Sequence, residues 1–126
     1  MNKSLSPKKN LNMWNKHFEK ITKLLEKSIP KLAIKHRLEF KNVFGAIGGY
    51  VNGHIFISCG RFGVALRLPP KTLTELFQEK DISQLQYFPK GHVKKEYVVI
   101  PQRIINDQIR FKKLLNKSIQ FVLSLD

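Results

Sequence analysis

The stretch Tyr50-Val51-Asn52-Gly53-His54-Ile55-Phe56-Ile57 sets two apolar runs on either side of Asn-Gly. A two-residue hairpin turn of type I′ needs positive φ at both central residues, and Asn-Gly adopts that backbone at little cost. An antiparallel hairpin centred on Asn52-Gly53 is the anchor for reading the rest of the chain. A second turn is expected at Cys59-Gly60-Arg61. Beyond it, Phe62, Val64, Leu66 and Leu68 alternate with Arg61, Gly63, Ala65 and Arg67, the period of a half-buried strand. Phe40 to Leu68 thus reads as three strands. The cluster Gly45-Ala46-Ile47-Gly48-Gly49 lacks a following Gly-Lys-Ser/Thr and runs into a hairpin instead of opening a helix, so it fails as a phosphate loop. A strand bend or bulge is its expected role.

Outward from this unit, Pro69-Pro70 ends the third strand and admits a helix over Lys71 to Gln78, with Leu73, Leu76 and Phe77 facing inward. Strands follow near Leu85–Phe88 and Lys95–Ile100, separated by a Pro89-Lys90-Gly91 turn. A long helix is expected from Gln102 to Leu123. Ile105, Ile109, Leu115, Ile119 and Val122 form its apolar side, flanked by Phe111 and Leu114. Upstream, Trp14, Phe18, Ile21 and Leu25 recur at spacings of four, three and four, which makes one helical face. Asn12 is the expected N-cap. Pro30 predicts a break near Ser28, with Ser28 capping a short segment over Leu32 to Arg37. The order α-β-β-β-α-β-β-α indicates an α+β fold with a five-stranded antiparallel sheet packed with helices. Residues 13–126 are expected to form one domain, preceded by a basic, flexible segment over 1–12.

The chain carries 23 Lys/Arg against nine Asp/Glu, a net +14 over 126 residues. Such an excess makes a polyanion the leading class of partner. Nine carboxylates and four histidines leave little material for acid–base chemistry. The single cysteine excludes an internal disulfide framework and fits a reducing, cytoplasmic setting. No apolar run of a secretion signal follows Met1 to Asn10, and no window approaches the roughly 18 apolar residues needed to span a bilayer.

The charge is unevenly spread. Residues 1–37 hold ten Lys/Arg against two Glu, more than half of the excess. Lys16, Lys20, Lys23 and Lys27 repeat the spacing of the apolar face two positions later, about 200° round the helix. Lys31 and Lys35 extend the basic run. These six lysines are the candidate contact to DNA or RNA, nonspecific and salt-dependent in character. The same pattern also fits a solvated helix face, or a basic face docking on an acidic membrane or protein.

Other chemistry is sparse. His54 and Cys59 are five apart on one strand, so alternation puts them on opposite faces, against a nucleophile pair or a partial metal site. No second cysteine, carboxylate pair or His-Glu-x-x-His spacing occurs. His17 and His36 lie in the basic segment, where protonation would only add charge. No catalytic residue, metal ligand or cofactor is assigned. An enzyme would need a deep pocket containing His54, His92 or Tyr97. Tyr50, Phe56, Phe62, Tyr87 and Tyr97 would suit stacking on single-stranded bases if displayed on an open sheet face, but filling the core is the stronger demand on such rings.

The run Phe44-Gly45, then Gly48-Gly49-Tyr50-Val51-Asn52-Gly53-His54-Ile55-Phe56, resembles the N-terminal domain of TfoX/Sxy-type competence regulators. The resemblance continues through Gly60 and Val64-Ala65-Leu66-Arg67-Leu68, and resumes at Phe88, Gly91, Lys95, Tyr97 and Pro101. It covers about residues 38–124. Val43 stands where the family pattern has Met, and Leu114 and Leu115 stand where a Trp is common. Full competence regulators also carry a C-terminal helical domain. This chain ends at Asp126, just after its last helix, and so resembles the stand-alone N-terminal-domain proteins. The resemblance implies a secretion-chaperone-like α+β domain and a small bacterial regulator working with a transcription-related protein partner. It brings no catalytic residues, and it makes Phe44, Gly45, Gly49, Asn52, Gly53 and Gly60 architectural. The alternative function is a pure protein-interaction adaptor that docks an acidic partner without binding nucleic acid.

Overall fold

The computed structural model describes residues 12–87 and 91–125, with side chains from Lys16 onward. Two helices, α1 (Asn12–Ser28) and α2 (Leu32–Lys35), precede four strands, β1 (Leu38–Val43), β2 (Ala46–Val51), β3 (His54–Gly60) and β4 (Gly63–Arg67). Then come α3 (Pro70–Leu76), β5 (Ser83–Leu85), β6 (Lys94–Ile100), α4 (Gln102–Asn106) and α5 (Gln108–Leu123). The strands form one antiparallel sheet in the order β1-β2-β3-β4-β6-β5.

The sheet has six strands, not five, because a turn at Phe44-Gly45, where Asn42 Oδ1 accepts from Gly45 N at 3.4 Å, splits the first predicted strand. Phe44 and Gly45 take φ of 50° and 86°, the same left-handed pair as Asn52 and Gly53 at 49° and 86°. Val43 pairs with Ala46 across this two-residue turn. Phe44 rarely adopts such a backbone, and its own identity does not advertise the turn. The Asn52-Gly53 hairpin stands where expected, and Asn52 does more than turn. Its Oδ1 accepts from Arg37 N at 3.0 Å, and its own N–H donates to Arg37 O at 2.9 Å, which ties the hairpin to the entry of β1. The next turn lies at Arg61-Phe62, two residues later than expected, with Gly60 paired to Gly63 at φ 107°.

Register separates the two sheet faces. Phe40, Gly49, Ile57, Leu66 and Val98 form one row across the strands. Ile47, Cys59, Val64 and Ile100 form the next. Both rows face α1 and α5 and make the core with Ile21, Leu25, Phe111, Leu115 and Val122. A bulge separates the pairs Gly49–Ile57 and Tyr50–Ile55, leaving Phe56 as the extra residue. Phe56 is fully buried, and its carbonyl accepts a buried hydrogen bond from Ser118 Oγ of α5 at 2.8 Å. The opposite face carries the small-residue row Gly48, Ser58, Ala65. Tyr87 covers this face with Phe44 and Phe62, ring centroids 5.4 and 5.6 Å away.

The helices differ from expectation at their ends. α1 does stop at Ser28, but α2 is preceded by Lys31 at its N-cap position, with no side-chain cap there, so Ser28 does not cap it. α3 is shorter than Lys71–Gln78, and Phe77 beyond it is 37% exposed, not inward-facing. The long terminal helix is two helices. Asp107 leaves the helical region at ψ 92° and its side chain accepts from Arg110 N at 3.1 Å, which starts a new helix. The restart shifts the phase, so Ile109 is 73% exposed although its spacing suggested the core. The elbow is braced by Arg103, bonded to Asp81 Oδ2 and Glu79 Oε1 at 2.7 Å each, and by Arg110 on Glu79. Asn12, the expected cap, is the first residue of α1 itself; the side chain of Trp14, the segment over 1–11 and the Phe88–Lys90 part of the next turn lie outside the described residues.

A Cβ on Gly49 would sit 2.8 Å from Ile57 Cγ2 and 3.5 Å from Ile21 Cδ1, between sheet and α1. Gly49→Ala is expected to cost about 1–3 kcal/mol in denaturant unfolding; an unchanged midpoint would contradict this packing. Ser118→Ala leaves the Phe56 carbonyl without its partner in the core and is expected to cost about 1–3 kcal/mol, against little change for Ser124→Ala on the surface.

Arginine hydrogen bonds hold the Glu79 and Asp81 carboxyls below their ordinary range, Arg110 chiefly for Glu79 and Arg103 for Asp81. A lowered folded-state pKa means stability that is complete above the unfolded carboxylate values, about 4, and lost as the pH falls through the folded ones. The melting-temperature gap between wild type and Arg103→Ala is therefore expected at neutral pH and should close toward about pH 2. A gap independent of pH would show that the carboxylates do not carry it.

Candidate functional site

On α1 the apolar and basic faces separate as the spacing requires. Ile21 and Leu25 are buried, Phe18 packs on the core, and Lys16, Lys20, Lys23 and Lys27 are all exposed. Lys31 and Lys35 are exposed as well. The six lysines do not form one stripe, because the chain turns at Ile29-Pro30. α5 adds Lys112, Lys113 and Lys117, also exposed.

The two kinds of basic residue behave differently. Arg67 pairs with Glu96 at 2.8 Å, Arg103 and Arg110 hold Glu79 and Asp81, and Arg37 approaches Glu39 at 3.9 Å. No lysine among the described residues takes part in an ion pair. A planar guanidinium suits bidentate carboxylate contacts, whereas the ammonium is compact and strongly hydrated. Arginine thus supplies structure, and the surplus positive charge resides on lysine.

Between the α1–α2 corner and α5 lies a groove of about 520 Å³. Ile29, Leu32, Ile119 and Leu123 give it an apolar lining, Lys31, Lys35 and Lys112 supply cations, and His36 adds a polar ring. Among the described residues no carboxylate lines it. A smaller hollow of about 240 Å³ continues past Ser28 and Lys112 to Lys27, Gln108 and Ile109. The groove thus recruits Lys31 and Lys35, and Lys27 borders its extension, while Lys16, Lys20 and Lys23 stand apart on α1. Lys112 was not singled out in the sequence, because nothing in the α5 pattern says which of its polar residues face α2.

Burial pushes the Cys59 thiol up to about 12, so it stays protonated. The Phe56 bulge undoes the alternation argument for His54: its partner Val51 is in the core, so His54 and Cys59 stand on the same side of the sheet. They are about 16 Å apart along the strand, five residues at about 3.3 Å each, and form no pair. Burial, then Lys20, Lys16 and Arg61, lower the His17 pKa, and its Nε2 has no hydrogen-bond partner. Among the described residues no group of three His, Cys, Asp or Glu could hold a metal ion. Neither the groove nor its extension is lined by His54, His92 or Tyr97.

The aromatic residues proposed for base stacking divide between the faces. Phe56 is buried in the core. Tyr50, Tyr87 and Tyr97 lie on the other face, where burial raises all three phenols, Tyr97 to about 12. Ser58 opposes the shift at Tyr87, yet the two hydroxyls approach without completing a hydrogen bond. Tyr87 packs on Phe44 and Phe62, while Lys41 Nζ lies 4.8 Å from the Tyr50 centroid and the Arg67 guanidinium 5.9 Å from that of Tyr97. Among the motif residues, Phe44, Gly45, Asn52 and Gly53 form turns, and Gly49 admits α1. A Cβ on Gly60 would lie 2.8 Å from both Ala46 Cβ and the Phe62 ring.

No helix among the described residues is long and apolar enough to cross a membrane. Searches of curated proteins and of solved structures found no match. The family model of the TfoX N-terminal domain matches residues 32–122. It spans α2, the whole sheet and nearly all of α5, and it is not a model of any known enzyme family. On that match, over most of its length, the chain belongs to the TfoX N-terminal domain family and is a TfoX-like regulatory protein in the general sense.

Proposed function

We propose that this is a small, non-enzymatic bacterial regulator of the cytoplasm, acting in transcription of the competence-associated kind as one functional unit over residues 13–126. It works through a protein partner, and its basic helix layer supplies nonspecific contact to DNA or RNA. The observation that carries the nucleic-acid half is the division of labour among cations: arginines are paired, while Lys16, Lys20, Lys23, Lys27, Lys31 and Lys35 are exposed and unpaired. Unpaired surface ammonium groups release counterions from a phosphate backbone and read no bases. The apolar lining of the α2–α5 groove favours the second reading, an adaptor that docks an acidic protein without nucleic acid.

Replacing Lys16, Lys20, Lys23 and Lys27 by Glu should abolish binding to labelled duplex and single-stranded DNA and RNA, with the far-UV circular dichroism unchanged. In wild type, log K should fall linearly with log salt, at a slope of about −0.9 per phosphate contacted. Equal binding by the variant removes α1 from the interface. No binding by wild type even at low salt leaves the adaptor reading.

A further inference from the structure

The geometry points to the α2–α5 groove as a docking site for an acidic amphipathic helix of a partner protein. This inference rests on the protein-partner half of the function proposed above and gives that partner a chemistry and a place.

The groove runs beside α5. Ile109, Lys112, Asn116, Ile119 and Leu123 fall at steps of three or four and line the groove and its extension, so they share one side of the helix. From Ile109 to Leu123 that side is about 21 Å long, about four helical turns. The opposite wall is the α1–α2 corner with Ile29, Leu32, Lys31 and Lys35. An apolar bottom between two helical walls is the shape that takes the apolar stripe of a third helix.

Charge selects the kind of helix. Lys31 and Lys35 on one wall face a groove whose other wall carries Lys112, with no carboxylate among the described lining residues. An incoming helix with Glu or Asp flanking its apolar stripe would meet an ammonium on either side. A second copy of this chain is disfavoured by its own +14. A phosphate backbone has no apolar stripe to set against Ile29, Leu32, Ile119 and Leu123. A bilayer surface cannot follow a concave groove between two helices. Ile109, 73% exposed at the far end, is an apolar contact left open for the same occupant.

The probe is a fluorescein-labelled peptide of about 16 residues with leucines at helical spacing and flanking glutamates, with a scrambled peptide of the same composition as control. The ordered peptide should bind wild type at least about tenfold more tightly than the scrambled one. It should lose at least about tenfold in affinity for Lys31→Glu/Lys35→Glu/Lys112→Glu. All three lysines are exposed, so the fold is retained, as circular dichroism will verify. Lys16→Glu/Lys20→Glu/Lys23→Glu should keep peptide binding. Equal affinity for both peptides, or an unaffected groove variant, overturns the proposal. So does displacement of the peptide by phosphatidylglycerol vesicles, which reassigns the groove to lipid. Duplex DNA binding is measured on the same two variants. If it survives the α1 substitutions, the nucleic-acid half of the proposed function fails while the peptide result stands.

Discussion

The helix side of the sheet depends on one buried hydrogen bond, from Ser118 Oγ to the carbonyl of Phe56. The bulge at Phe56 inserts a residue into β3 without a partner in β2. It turns Phe56 toward the core next to Ile57 and takes a carbonyl out of the regular ladder. A carbonyl left unpaired there would cost about 1–3 kcal/mol. Ser118 is fully buried on the face of α5 that also presents Leu115 and Val122. The bond therefore fixes the height and rotation of α5 on the sheet. With that rotation set, the flank of α5 bearing Lys112, Asn116 and Ile119 must meet α2, and the groove follows.

The other face shows the complementary solution. Gly48, Ser58 and Ala65 leave little bulk above the middle strands; Ile55, Tyr50 and Val43 close over Gly48, and Tyr87, packed on Phe44 and Phe62, reaches Ser58. A sheet covered on both faces needs small residues on one if rings from its own strands, loops and turns are to lie over it. This explains why Ala65 is as buried as its neighbours Val64 and Leu66, although strand alternation suggested a half-solvated β4.

Much of the fold was legible because several residues leave one conformation far cheaper than the rest. Asn52-Gly53 specified its turn, Pro69-Pro70 ended β4 and opened α3, and Pro30 ended α1 near Ser28. The misses share a cause. Phe44-Gly45 turns because its flanking strands pair, not because Phe favours positive φ. Asp107 breaks a helix whose apolar periodicity runs through it, since its side chain caps Arg110 N while Glu79 and Asp81 hold the arginines on either side. The Phe56 bulge shifted strand parity and put His54 on the side of Cys59. The Asp107 cap is local, but local propensity carries no record of the strand pairing, the bulge, or Glu79 and Asp81.

The lysine face shows the same division at the level of the site. By itself the sequence determined that Lys16, Lys20, Lys23 and Lys27 oppose the apolar face of α1, since a helix of 3.6 residues per turn admits no other arrangement. It also determined the large positive excess and its concentration near the start of the chain. Only the tertiary structure decided which cations are neutralised, because ion pairs such as Arg110 with Glu79 join positions far apart in the chain. Only it decided that Lys31 and Lys35 share a groove with Lys112, because that placement depends on the rotation of α5. The spacing of residues along one helix sets their direction around its own axis, and only packing against a second element sets what they face.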